Sequence, residues 1–224
     1  MISHEYQCVF IHIPKCAGTS VETALGHFDQ HTGRGGQDHR SLRMLEQPAL
    51  QMDTLRHTDN IIELYRRIKH QISPNITNRK NKLTLTRKQY RSYFKFSFVR
   101  DPWDRAYSWY RNYVRDPEHK ISGLNRDMDF PTFLEKEAGN GMLAPQIYWL
   151  KDANGKIPMD FIGRFENLQD DFSFICDQLG LPNSDLPHKV KGDSDGYRNK
   201  YNDNTRKIVE NVYREEIDLF NYRF

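Results

Sequence analysis

What this chain lacks narrows its identity first. It holds only three cysteines in 224 residues, Cys8, Cys16 and Cys176, an odd number at wide spacing. A disulfide framework needs paired cysteines and a structural zinc site needs closely spaced Cys and His; the sequence has neither pattern. No apolar run reaches membrane-spanning length, and Met1 leads within a few residues into the first apolar segment. These absences imply a cytoplasmic protein without a membrane span. The charge excess is small, 33 Lys and Arg against 30 Asp and Glu, a net +3. That balance helps capture a polyanionic small molecule but does not make the basic face of a dedicated nucleic-acid binder. Internal repeats and low-complexity segments are also missing. So is the Gly-x-x-x-x-Gly-Lys-Ser/Thr loop of ATP and GTP sites.

What is present centres on two stretches. In Val9-Phe10-Ile11-His12-Ile13-Pro14-Lys15-Cys16-Ala17-Gly18-Thr19-Ser20 an apolar strand ends at a proline, a lysine follows, and small residues open a helical pattern. A strand–loop–helix of this kind aims backbone N–H groups at an anion. Gly18 permits close backbone approach, Thr19 and Ser20 add hydroxyl donors, and Lys15 adds a mobile positive charge. Cys16 and Ala17 read as the small spacers between them, though a helix N-terminus lowers a cysteine pKa. An ordinary strand-to-helix turn with an exposed lysine gives the same letters. The second stretch is Phe96-Ser97-Phe98-Val99-Arg100-Asp101-Pro102-Trp103-Asp104-Arg105-Ala106-Tyr107-Ser108. Here Arg100 ends a strand, Asp101 is a natural N-cap and Pro102 fits the first helical position. Ser108 lies two turns into the helix, where it reaches the same phosphate as Arg100 if the helix folds back beside the strand.

Together the two stretches resemble the cofactor motifs of sulfotransferases that use 3′-phosphoadenosine-5′-phosphosulfate (PAPS), and most closely the carbohydrate-type branch with its bacterial relatives of the heparan-sulfate 2-O and HNK-1 enzymes. Asp160-Phe161-Ile162-Gly163-Arg164-Phe165-Glu166-Asn167-Leu168 and the C-terminal Asp-Leu-Phe-Asn-Tyr extend the likeness over most of the chain. The resemblance implies that Lys15, Cys16, Ala17, Gly18, Thr19 and Ser20 hold the 5′-phosphosulfate, with Lys15 also catalytic, and that Arg100 and Ser108 hold the 3′-phosphate. It implies a histidine between the motifs as general base. His39, in Asp38-His39-Arg40-Ser41, matches best among nine histidines; an imidazole near ~6.5 suits that task at neutral pH, although a surface histidine at a helix start has the same look. His12 reads as structural or as a loop-orienting donor. A late basic loop covering the cofactor points, loosely, to Arg198 and Lys200, with Lys189 and Lys191 nearby. Gln146, in Pro145-Gln146-Ile147-Tyr148-Trp149-Leu150, is the candidate substrate contact, against the plainer reading of a structural amide. The reaction implied is sulfonate transfer from PAPS to an acceptor hydroxyl, with a glycan as acceptor, adenosine 3′,5′-bisphosphate as product and no metal. A phosphotransferase with a degenerate phosphate loop and a non-catalytic bisphosphonucleotide-binding protein stand as alternatives.

Strand–helix alternation points to one domain over 1–224 with a three-layer α/β fold like that of P-loop NTPases, a central parallel sheet flanked by helices. The expected elements are a buried strand over Tyr6–His12, helices over Thr19–His27, Phe130–Ala138 and Thr205–Leu219, and a strand over Phe161–Phe165. Asn167 is the expected cap of a further helix carrying Leu168, Phe172, Ile175, Cys176 and Leu179, closed by Gly180 and Pro182, and Asp203 the expected cap of the last. Residues 48–90 form a possible insertion. It contains a helix with the apolar stripe Ile61, Ile62, Leu64, Tyr65 and Ile68, and a basic run at Arg79, Lys80, Lys82, Arg87, Lys88 and Arg91. That run is either a lid for acidic glycans or a solvated face.

Overall fold

The computed structural model describes the chain except residues 30, 32–34, 47–55, 74–76, 79–84, 116–126, 183–184 and 187–195. The chain divides into two compact units. The first comprises Met1–Ile13, Ala17–Val99 and Ile147–Lys189, the second Pro14–Cys16, Arg100–Gln146 and Val190–Phe224.

The first unit is built on a four-stranded sheet in the order β1 (Ile2–Ser3), β2 (Cys8–Ile11), β3 (Phe94–Val99), β4 (Phe161–Arg164). β2, β3 and β4 run parallel, with Phe10 beside Phe96 and Phe98 beside Gly163. β1 is antiparallel to β2, so the sheet is mixed rather than purely parallel. The apolar run of β2 is buried throughout, the reading its residues invite. In β3 the two polar residues are buried but satisfied. Ser97 Oγ donates to the Ile11 carbonyl at 2.7 Å, and Lys95 Nζ donates to the Tyr93 carbonyl at 2.9 Å and faces Asp160 at 3.2 Å. Gly163 is required on β4, because a Cβ there would lie 2.5 Å from the Phe98 ring.

Helices α1 (Gly18–Ala24), α2 (Leu42–Leu45), α3 (Thr58–Ile72) and α4 (Arg87–Ser92) lie between β2 and β3 in sequence. α1 stops short of the expected His27, since Gly26 turns left-handed at φ 72°. Thr86 and Gln89 form a reciprocal cap on α4. The expected polarity of α3 is reversed: Ile61, Ile62, Tyr65 and Ile68 are exposed, and the buried residue is Glu63. Glu63 faces inward because it accepts hydrogen bonds from the hydroxyls of Ser41 and Tyr148 and from Arg66. Of the expected basic run, Arg79, Lys80 and Lys82 lie outside the described residues, while Arg87, Lys88 and Arg91 belong to α4. α8 (Leu168–Leu179) buries Phe172, Ile175 and Cys176 and ends at Gly180 in the left-handed region. Asn167 does not cap it through its side chain; its amide instead donates to Asp171, which also receives the Arg164 N–H. The unit has the P-loop-like α/β class, a mostly parallel sheet flanked by helices.

The second unit is helical, with α5 (Pro102–Arg115), α6 (Phe130–Glu137), α9 (Asp203–Val212) and α10 (Arg214–Phe220). α7 (Gln146–Leu150) starts on its boundary. Its core is aromatic: Tyr110 and Tyr113 meet Phe133, Phe130 meets Tyr201, and Trp103 and Tyr201 meet Phe224. Asp101 caps α5 as expected, its Oδ1 accepting from the N–H groups of Trp103 and Asp104, and its Oδ2 accepts from the Tyr197 hydroxyl at 3.0 Å. The final helix differs from expectation. Asn202, not Asp203, is its cap, paired reciprocally with Thr205, and the helix breaks at Tyr213 into α9 and α10. At the break the Tyr213 hydroxyl donates to the Leu143 carbonyl at 2.6 Å.

Candidate functional site

The loop between β2 and α1 turns on two left-handed residues that are not glycine, Lys15 at φ 69° and Ala17 at φ 61°. Each costs about 1–2 kcal/mol, so surrounding contacts must hold the loop in place. In the second unit that role falls to Arg105, which is 1% exposed. Its guanidinium donates to the carbonyls of Pro14 at 3.1 Å, Ala144 at 3.1 Å and Met142 at 2.7 Å. Cys16 is buried, with its thiol directed to Gln146 Oε1 at 3.4 Å and the Pro14 carbonyl at 3.7 Å.

Arg100 gathers the polar groups of this unit. Its Nη1 donates to the Lys15 carbonyl at 2.9 Å and to Ser108 Oγ at 3.3 Å, while its Nε meets Asp104 at 2.8 Å. Lys15 Nζ reaches Asn112 Oδ1 at 3.5 Å. Asp104, Ser108 and Asn112 recur every four residues, so one stripe of α5 faces Lys15 and Arg100. Lys15 is held down to about 8, by burial first and by the Arg100 charge second. Two neighbouring cations with a hydroxyl and an amide beside them offer the charge and the donors that a phosphate or sulfate group pairs with. Arg100 and Ser108, expected from the sequence to act together, are thus in contact, as are Lys15 and Arg100. Asn112 and Arg105 were not singled out from the sequence, although Asn112 lies one turn beyond Ser108.

Gln146 departs from its expected substrate role. It is completely buried. Its Oε1 accepts from the Arg100 N–H at 2.8 Å, and its Nε2 donates to the Arg100 carbonyl at 2.8 Å and to Glu216 at 3.0 Å. Both ends of the amide are consumed in fixing Arg100, leaving no edge for a ligand. Arg198 and Lys200 lie in a short 3₁₀ turn, Arg198 with its guanidinium over the rings of Tyr197 and Phe224 and Lys200 exposed. Lys189 and Lys191 lie outside the described residues.

In the first unit α1 begins at Gly18, with Thr19 exposed and Ser20 buried. Gly18 has a steric reason beyond close approach of a ligand: a Cβ there would lie 1.9 Å from the His12 ring. The His12 ring also meets the His39 ring with centroids 4.2 Å apart. His39 Nδ1 lies 3.2 Å from the His12 carbonyl, and a carbonyl only accepts, so Nδ1 carries the proton and Nε2 the lone pair. Burial, reinforced by His12, lowers His39 to about 3 rather than the ~6.5 expected of an ordinary imidazole. His39 is therefore neutral across the physiological range, with its basic nitrogen defined.

Among the described residues no cluster of His, Cys, Asp and Glu is arranged to hold a metal ion, and no helix is long and apolar enough to cross a membrane. No solved structure matches the chain. An uncharacterized protein of Archaeoglobus fulgidus is 29% identical over 55% of this chain and 91% of its own length. Carbohydrate sulfotransferase 14 of Danio rerio is 31% identical over 43% of this chain, a match that takes in 32% of the fish protein. A sequence profile described as the sulfotransferase family matches residues 1–223. With nearly every residue covered by that profile, the chain belongs to the sulfotransferase family.

Proposed function

We propose that this sulfotransferase moves a sulfonate group from PAPS to a carbohydrate hydroxyl. The observation that carries the reading is the contact of Arg100 with both Ser108 and the backbone of Lys15. These residues fit a doubly anionic nucleotide, because burial first and the Arg100 charge second lower Lys15, and an anion that joins the two cations offsets both. The carbohydrate acceptor is supported by the name of the fish relative and by the motif wording.

PAPS supplies the activated sulfonate and leaves as adenosine 3′,5′-bisphosphate. In this reading Arg100 and Ser108 bind the 3′-phosphate, with the arginine fork giving discrimination against donors that lack it. The loop from Lys15 to Ser20 binds the 5′ end. Lys15, at about 8, is largely protonated at neutral pH and close enough to it to release a proton. It therefore neutralises or protonates the departing phosphate oxygen. A preorganised donor at such a position is worth roughly 3–4 kcal/mol of barrier. His39 Nε2 receives the proton of the attacking hydroxyl. With a free-protein value of about 3, this nitrogen holds the proton only while negative charge develops nearby.

Calorimetry with adenosine 3′,5′-bisphosphate, compared with ATP and magnesium, tests the donor. Sulfonate transfer from labelled PAPS to a panel of desulfated glycosaminoglycan oligosaccharides tests the acceptor. Binding of the bisphosphate together with transfer to at least one oligosaccharide is expected. Magnesium-dependent turnover of ATP, or bisphosphate binding without transfer to any acceptor, counts against the reading.

A further inference from the structure

Glu22 is the buried acid that neither the loop nor the proposed base accounts for. It sits on α1, one turn beyond Gly18, and is 0% exposed. Its Oε1 accepts the Asp38 N–H at 2.9 Å and lies 3.0 Å from His12 Nδ1. Among the described residues Oε2 is buried without a hydrogen-bond partner. An acid on a short helix normally points to water, so this placement carries a desolvation cost that packing alone does not explain.

The two contacts of Oε1 converge on one residue. Asp38 immediately precedes His39 in the chain. His12 supplies both the carbonyl that takes the His39 Nδ1 proton and the ring that lies against the His39 ring. Glu22 thus braces His39 through the N–H of the residue before it and through the residue that sets its tautomer.

We infer that Glu22 is the positioning residue for His39, holding the imidazole with Nε2 open to the acceptor hydroxyl and lending its negative charge to the imidazolium formed as the proton arrives. The inference rests on the reading of His39 as base. The proton balance is closed: the hydroxyl proton moves to His39 Nε2, Nδ1–H stays with the His12 carbonyl, and Glu22 neither gains nor loses a proton in the step. The ionisable groups facing Glu22 are the Met1 amine, Asp38 with its partner Arg40, His27, His12 and His39. Burial, the leading cause, raises Glu22 to about 6. The Met1 amine and His27 oppose that rise, and Asp38 adds to it through its charge while its N–H opposes it. Glu22 is therefore ionised at neutral pH and becomes protonated just below it.

The experiment uses the full chain as wild type, Glu22→Gln and Glu22→Leu, with Lys15 and Arg100 intact. Imidazole ¹⁵N–¹H spectra report the His39 tautomer without any donor or acceptor. Gln keeps an acceptor for the Asp38 N–H and should keep the Nδ1–H form; Leu should release it into a mixture. Initial rates with labelled PAPS and an oligosaccharide sulfated by the wild type report the charge. Glu22→Gln should lower kcat at least tenfold at pH 7.5 with KM for PAPS unchanged, and should erase the acid limb expected near pH 6 in wild type. Glu22→Leu should lower kcat at least a hundredfold. A wild-type tautomer in Glu22→Leu together with an unaltered kcat and acid limb in Glu22→Gln would overturn the inference and leave Glu22 a packing residue. His39→Gln, assayed alongside, separates the two ideas. Full activity in His39→Gln removes the base assignment, whereas the tautomer spectra judge the hold of Glu22 on His39 independently.

Discussion

At the scale of single residues, the ionisation of Lys15 and of Glu22 has consequences that solution measurements can read. Lys15, held at about 8 by burial and Arg100, should be driven back up when an anionic ligand joins them. Binding adenosine 3′,5′-bisphosphate at pH 8 should therefore take up protons. Titration calorimetry in two buffers of different ionisation enthalpy measures this uptake, and Lys15→Met should reduce it sharply while binding remains measurable. Glu22 shows the opposite shift. Its carboxyl is raised from 4.5 to about 6, so the folded chain holds that proton more tightly than the unfolded chain does. Below about pH 4.5 both states are protonated and nothing is lost. As pH rises through 6 the buried charge appears and costs about 2 kcal/mol. Glu22→Gln should therefore melt higher than wild type at pH 8 and level with it at about pH 4, below both values. A residue that weakens the fold while bracing a base is a familiar form of the trade between stability and activity. No such role was legible in the sequence, because burial of a carboxylate depends on partners remote in the chain.

At the scale of elements, α5 and the loop before α1 carry the argument. The α5 stripe of Asp104, Ser108 and Asn112 was half legible: Arg100 and Ser108 follow from motif and spacing, whereas Asn112, one turn further on, was shown by the structure. Arg100→Lys should weaken bisphosphate binding roughly tenfold or more. A lysine has one compact ammonium and cannot bond the Lys15 carbonyl, Ser108 and Asp104 through a planar fork. Ser108→Ala should cost less, since one neutral hydroxyl contributes only about 0.5–1.5 kcal/mol. Equal losses in both variants would deny Arg100 its central place. Gly18 makes a sharper test of local geometry. Gly18→Ala drives a Cβ into the His12 ring and should unfold readily or lose the loop, whereas adding His12→Ala to it should recover thermal stability. Read from the letters, Gly18 looked like a concession to a phosphate. The structure adds a neighbouring imidazole as the nearer constraint, a contact that only the strand–helix packing creates.

At the scale of the whole molecule, binding and stability are linked. A ligand present at 100 times its dissociation constant raises stability by about 2.7 kcal/mol, which in a chain of this size moves the melting temperature by roughly 5–10 °C. Adenosine 3′,5′-bisphosphate should produce that shift and adenosine 5′-monophosphate, lacking the 3′-phosphate, should not; equal shifts would remove the case for Arg100 and Ser108 as a 3′-phosphate clamp. The sequence by itself determined the strands β2, β3 and β4, the cap of α5, the left-handed end of α8 and the pairing of Arg100 with Ser108. Each is dictated by neighbours a few residues apart, through apolar runs, capping chemistry or helical repeat. Only the tertiary structure decided that β1 joins antiparallel, that the apolar side of α3 faces outward around an inward Glu63, that Gln146 serves Arg100 rather than a substrate, and that His39 is kept neutral against His12. Those outcomes turn on desolvation and on hydrogen bonds between residues far apart in the chain, and neither is written in local order.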